Sequence, residues 1–246
     1  MTGFLAQVAR WLADASHWHG VNGVPHRLSE HVALSALAVA VAAAAALPLG
    51  AGLGHWGRGG FVAANLTNVG RAVPSFAILV LAVQFVGIGA GPAFVALVAL
   101  AAPPLLTNAY VGVREVDPEA RDSARGMGMT GWQVLRRVEL PVALPVVMAG
   151  VRTAAVQVVA TATLAALVAW GGLGRYIIDG LAQRDNVQVF AGAVLVAALS
   201  LVTEVALAAV QRLLTPAALR ASGKNGRSAP PRGLRPGPRE EPHAVA

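Results

Sequence analysis

The sequence predicts an all-α integral membrane protein with five core transmembrane helices. Three observations predict it. Of the 246 residues, 56% are hydrophobic and 13% charged, and the mean hydropathy is +0.61; a soluble domain carries about 25% charged residues. Five apolar runs reach the roughly 20 helical residues that cross a bilayer. Charge is segregated into the stretches between those runs and into the C-terminal tail, which suits a membrane protein better than a nucleic-acid partner despite a net charge of +7. The chain has no cysteine, so disulfides and thiolate metal sites are excluded. Six histidines make no metal constellation, His17-x-His19 being too small a pattern. No carboxylate pair or serine–histidine arrangement suggests catalysis.

Residues 1–30 form an extracytoplasmic or interfacial segment. They lack the basic start, apolar core and cleavage site of a secretory signal. Phe4, Leu5, Val8, Trp11 and Leu12 recur at helical spacing, so the segment reads either as a short interfacial helix with Trp11 and Trp18 at headgroup level, or as a disordered lead-in. Pro25 marks the break into the first span, 31–50. The second span is 61–87, clearly apolar from Ala72; the third is 91–113, the fourth 142–169 and the fifth 188–212. The membrane domain is thus 31–220. The tail, 221–246, is rich in Pro, Gly and Arg and reads as disordered, either solvated or touching anionic headgroups through Arg220, Lys224 and Arg227.

Orientation follows from Lys and Arg. With five spans and the N-terminus outside, the inner segments carry 13 basic residues and the outer segments 4. That favours N-out, C-in and places the stretch between the third and fourth spans in the cytoplasm. This stretch, "EVDPEARDSARGMGMTGWQVLRRVELPVALP" at 115–145, is the dense polar block of the chain. Asp117-Pro118 resembles an N-cap followed by proline at the first helical position, and Glu119 suits the first turn. Arg121 and Arg125 fall on one face toward the far end. Gly126 and Gly128 break the helix, Thr130 caps a second short helix, "GWQVLRRVEL", and Pro141 and Pro145 constrain the start of the fourth span. A long ordered loop of this kind is usually functional.

The block resembles the Glu-Ala-Ala coupling loop of ABC importer permeases, in which Glu-Ala-Ala is followed by three residues, Gly, nine residues and Ile-x-Leu-Pro. The matching positions are Asp122, Ser123, Ala124, Gly128, Val138, Leu140 and Pro141. Spacing is intact; Asp replaces Glu, Ser replaces Ala and Val replaces Ile. The flanks "LTNVGRAVPSFAILVL", "LLTNAYVGVREVDPEA", "ARGMGMTGWQVLRRVELPVALPVVMAGVRTA" and "TATLAALVAWGGLGRYI" are similar to the osmoprotectant branch, the glycine betaine, carnitine and choline permeases. The similarity covers about 31–212. A secondary transporter would show intramembrane charges or inverted repeats, and a membrane enzyme a reactive constellation. Neither stands out, and both leave the block unexplained.

The resemblance implies the type I ABC importer permease fold. It implies pairing with a second permease copy or a paralogue, an ATPase subunit gripping the loop at about 114–141, and an extracytoplasmic substrate-binding protein on the other side. The ATPase-coupling residues would be Glu119, Asp122, Ser123, Ala124, Gly126, Gly128, Val138, Leu140 and Pro141. Pro74, Ser75, Thr161 and Thr163 would lie near the translocation path. Gly172, Gly174, Tyr176, Asp179, Arg184 and Asp185 would meet the binding protein. The chain has no Gly-x-x-x-x-Gly-Lys-[Ser/Thr] phosphate loop, so ATP would be used by the partner ATPase and no cofactor is expected here. Glu204, inside the fifth run, reads as a contact to a polar group on a neighbouring helix. Asn68 and Arg71 lie near the start of the second span and Arg152 within the fourth; snorkelling and a gate role are both open for Arg71.

Overall fold

A computed structural model describes residues 2–58, 60–61, 65 and 74–215. Among the described residues every regular element is a helix. They are α1 (Thr2–Ala13), α2 (Val24–His55), α3 (Ser75–Val86), α4 (Ala90–Arg114), α5 (Pro118–Gly126), α6 (Gly131–Val134), α7 (Leu140–Thr161), α8 (Gly174–Gln183) and α9 (Asn186–Leu214). Among the described residues, four stretches are long and apolar enough to cross a membrane: α2, α4, Gly131–Val168 and α9; α3 is a shorter apolar helix.

Helices α2, α4 and α7 make the centre. Ala38, Ala42 and Ala46 of α2 interlock with Ala93, Ala96, Leu97, Ala101 and Leu105 of α4 and with Ala154 and Val158 of α7. Lipid gives helices no hydrophobic reason to associate, so small residues that let backbones approach do the packing. At Gly54 an added Cβ would sit 2.7 Å from Tyr110 O, and at Gly150 it would sit 2.5 Å from Asn108 Cβ. These approaches also fix direction. Gly50 and Gly54 of α2 face Leu106 and Tyr110 of α4 in the same order, so the two run parallel; Gly112 faces Ala143 and Val146, while Gly150 faces Pro104 and Asn108, so α4 and α7 are antiparallel. His55 and Ala90 therefore stand at opposite ends of the bundle; of the second span expected over 61–87, α3 is the described apolar helix and 62–64 and 66–73 lie outside the described residues. Helix α9 lies outermost, with buried residues Ala191, Gly192 and Val196 only.

Several sequence expectations shift. The helix that carries the first apolar run already starts at Val24, with Pro25 in its first turn behind the N-cap Gly23 and Glu30 paired with Arg27 at 2.9 Å. The N-terminal segment is helical and docked, which removes the disordered lead-in for the described residues: Phe4 meets Phe190 edge-on at 5.5 Å and Trp11 meets Tyr176 at 5.4 Å. The second short helix of the polar block is no separate element. It continues from α6 through a π-helical turn, Leu135–Glu139, directly into α7. Leu140 N–H bonds to Leu135 O, five residues back, and this wider turn lets Pro141 follow without a break. The fourth span tightens instead at its far end, to a 3₁₀ helix over Ala162–Val168. Asn68, Arg71 and the tail 221–246 lie outside the described residues.

Candidate functional site

The polar block is built by its caps. The Asp117 carboxylate accepts the Glu119 N–H at 2.9 Å and Pro118 fills the first turn of α5. Helix α5 keeps Gly126 as its last residue, and the chain reverses at Gly128, where φ is +83°. Gly128 N–H donates to Arg125 O at 2.8 Å and Met129 N–H to Ala124 O at 3.2 Å. Thr130 and Gln133 form a reciprocal capping box at 3.4 and 2.8 Å, starting α6. Outward, Glu119, Asp122, Ser123, Arg125, Gly126 and Gly128 are exposed, with Met127 and Trp132 beside them. Asp122 reaches Arg125 only at 3.7 Å, leaving both available to a partner.

Beneath α5 lies a buried charge cluster that sequence reasoning missed. Arg121 and Arg125, one turn apart, differ in burial: Arg121 points inward and is 8% exposed, whereas Arg125 is exposed. Its Nε lies 2.7 Å from Oε1 of Glu139, which is fully buried, and its Nη2 donates to Val113 O and, at 3.5 Å, to Arg114 O. His55 Nδ1 donates to Glu139 Oε2 at 2.6 Å. One carboxylate thus joins the end of α2, helix α5 and the foot of α7, and Arg121 extends the link to the end of α4. The available signal was an acid at the mouth of an apolar run, just after Arg136 and Arg137.

A second polar latch closes the opposite end. Glu30 Oε2 accepts the Gly172 N–H at 2.8 Å. Leu173 N–H donates to His31 Nδ1 at 3.3 Å, which leaves His31 Nε2 to donate to Val159 O at 2.9 Å. Tyr176 Oη donates to Asn22 O at 2.6 Å. Gly172, Gly174 and Tyr176 are therefore buried in the chain's own packing rather than displayed. Gly172 takes φ +82°, and a Cβ on Gly174 would overlap the Thr163 backbone. Asp185 caps α9 by accepting from Val187 and Gln188 N–H at 3.0 and 3.1 Å, and Asp179 pairs with Arg175 at 2.8 Å. Of the six residues expected at this end, Arg184 is the exposed one.

Within the spans, Glu204 finds the neighbour its position demanded: it pairs with Arg152, whose Nη1 also donates to Gln211 Oε1 at 2.7 Å. Gln211 Nε2 donates to Pro145 O at 2.9 Å. Ser75 and Thr161 line one narrow crevice with Leu79, Ala93, Ala96, Leu97, Leu164 and Ala165. Pro74 is the N-cap of α3, and the Thr163 hydroxyl returns to Ala160 O at 3.0 Å.

Residues 38–216 match the family model of the binding-protein-dependent transport system inner membrane component. The chain belongs to that family. This permease is 36% identical over 195 residues to the glycine betaine/carnitine/choline transport system permease protein OpuCB of Bacillus subtilis (strain 168), covering 79% of this chain and 90% of that one. It is 44% identical over 161 residues to the carnitine transport permease protein OpuCB of Listeria monocytogenes (65% and 74% covered). It is 38% identical over 195 residues to the choline transport system permease protein OpuBB of Bacillus subtilis (79% and 90% covered). Its fold matches an inward-facing MetNI methionine ABC transporter chain with a TM-score of 0.67 at 24% identity, over 76% of this chain and 94% of that one. The permease thus has the type I ABC importer permease fold expected from its sequence. Its polar block divides by depth: Glu119, Asp122, Ser123, Gly126 and Gly128 are exposed, Ala124 is buried, and Val138, Leu140 and Pro141 are half-buried along the π turn and the start of α7.

Proposed function

We propose that this permease carries quaternary ammonium osmoprotectants (glycine betaine, choline or carnitine) in an ATP-driven importer. The observation that carries the substrate class is the identity of 36–44% with permeases named for those solutes. The exposed face of α5 and its glycine turn form the socket of a separate ATPase, with Ala124, Val138, Leu140 and Pro141 shaping it from below. The ATPase binds and hydrolyses the ATP; the permease needs no cofactor of its own. The end bearing α8 meets an extracytoplasmic binding protein, chiefly through Arg184 and neighbouring exposed residues. A second permease, a copy or a paralogue, completes the path, along which Ser75 and Thr161 lie. The socket end is cytoplasmic.

Quaternary ammonium cations are commonly held in cages of aromatic faces. In the permease, Trp11 stacks on His17 at 4.0 Å and meets Tyr176 edge-on, so these rings are spent on one another. Selectivity accordingly resides in the binding protein. The test is to express the permease with its co-encoded partners in cells lacking other uptake systems. Labelled betaine, choline and carnitine are compared with a neutral amino acid. Accumulation of at least one quaternary amine is expected, and a binding protein of altered specificity should change which one enters. Accumulation of the amino acid alone overturns the substrate class.

A further inference from the structure

We infer that the buried cluster of Glu139, Arg121 and His55 is the joint through which the coupling helix moves the spans, with Glu139 as its positioning residue. The inference rests on reading α5 as the ATPase socket. The cluster is placed for that task. Outward-facing residues of α5 are free for a partner, while Arg121 faces inward. Among the described residues, the polar contacts from α5 to the spans all pass through Arg121: to Val113 O and Arg114 O at the end of α4, and to Glu139 at the foot of α7. Glu139 then passes its second oxygen to His55, the last residue of α2. A displacement of α5 is therefore delivered to α4 through Arg121 itself and to α2 and α7 through one carboxylate.

Two features separate this arrangement from an ordinary plug. An apolar trio would fill the same volume without the desolvation that charged groups suffer; what the charges add is a fixed geometry. The π turn ends on Glu139 itself. Its extra residue offsets the helix on either side by roughly 100°, one residue's share of a 3.6-residue turn. That offset lets Glu139 face His55 and Arg121 while α7 presents its small residues to α4. π turns recur at functional sites in helices for this kind of reason.

The test uses the full importer with its co-encoded ATPase and binding protein, in proteoliposomes supplied with labelled betaine, choline and carnitine together. Glu139→Gln keeps the shape and one acceptor oxygen, removes the charge and turns the second acceptor into an N–H donor. The expected result is an assembled complex that hydrolyses ATP but spends roughly tenfold more of it per solute moved. A second measurement does not depend on the solute. The chain lacks cysteine, so spin labels on Trp56→Cys and Ala120→Cys report the distance from the foot of α2 to α5; both positions are open to solvent and neither is among the residues assigned to the socket. That distance should stay single and narrow through ATP binding in the parent and broaden or shift in Glu139→Gln. If Glu139 only holds the fold, less complex assembles but the ATP-to-solute ratio per complex stays as in the parent, and the joint is overturned. An unchanged ratio with unchanged label distances overturns it as well. Should the parent carry none of the three solutes, the substrate reading fails alone and the label distances decide the joint; should the parent fail to bind its ATPase, both readings fall.

Discussion

Arg152 and Glu204 are 52 residues apart in the chain and meet between α7 and α9, with Gln211 holding the arginine from the other side. Either charge alone in an apolar slab is costly, and the pair is tolerated because each answers the other. Removing one partner should therefore harm more than removing both. Arg152→Leu is expected to lower the thermal midpoint of the purified permease in lipid nanodiscs, and adding Glu204→Leu to it should restore much of the loss. A double variant less stable than either single one would show that the two charges serve separate partners. The sequence placed Glu204 and Arg152 within the fifth and fourth runs and pointed to a polar neighbour for Glu204 on another helix, but it did not name Arg152 as that neighbour, because nothing local connects positions on different helices. Glu30 and His31 were less legible still. Each sits beside an apolar run like any interfacial residue, and only the return of the chain at Gly172 and Leu173 gives them their role.

Helix α5 and its turn were the most legible element, since caps act within a few residues of themselves. Asp117, Pro118, Gly128 and Thr130 each do in the structure what their types dictate at those spacings. The π turn was not legible: its sequence, Leu135–Glu139, is a good α-helical one, and only its partners select the wider register. The open surroundings of Gly128 give a sharp test of the socket. Its φ of +83° strains an L-residue, but no atom lies within 4 Å of an added Cβ. Gly128→Ala should cost about 1–2 kcal/mol of backbone strain. Gly128→Asp should cost less, because a short polar side chain can hydrogen-bond locally in the left-handed region. If a partner covers this turn, docking follows the opposite order: Asp adds bulk and charge there, and ATPase co-purification and uptake should fall further for Asp than for Ala. Equal losses, or losses that track stability, would remove the turn from the interface.

The whole molecule has two polar ends. One collects His55, Arg58, the block 114–139 and the close of α9; the other collects α1, the Glu30–Gly172 latch and α8. Parallel α2 and α4, antiparallel α7, and α9 running back along α7 from Arg152–Glu204 to Pro145–Gln211 leave no other grouping. The basic residues divide unequally between these ends: Arg58, Arg114, Arg121, Arg125, Arg136, Arg137 and Arg212 at the first, against Arg10, Arg27, Arg175 and Arg184 at the second. Because basic residues within short loops are retained on the cytoplasmic side, the first end should be cytoplasmic and α1 and α8 outside. Absent native cysteines, single substitutions test this in the full chain. Leu181→Cys on α8, where the leucine is 58% exposed, should react with a membrane-impermeant thiol reagent in intact cells. Trp56→Cys, where the tryptophan is 71% exposed, should react only after permeabilisation. The reverse pattern would invert the orientation while keeping the fold. Reaction of both in intact cells would put the two ends on one side of the membrane, and then the chain could not cross between them along α2, α4, α7 and α9.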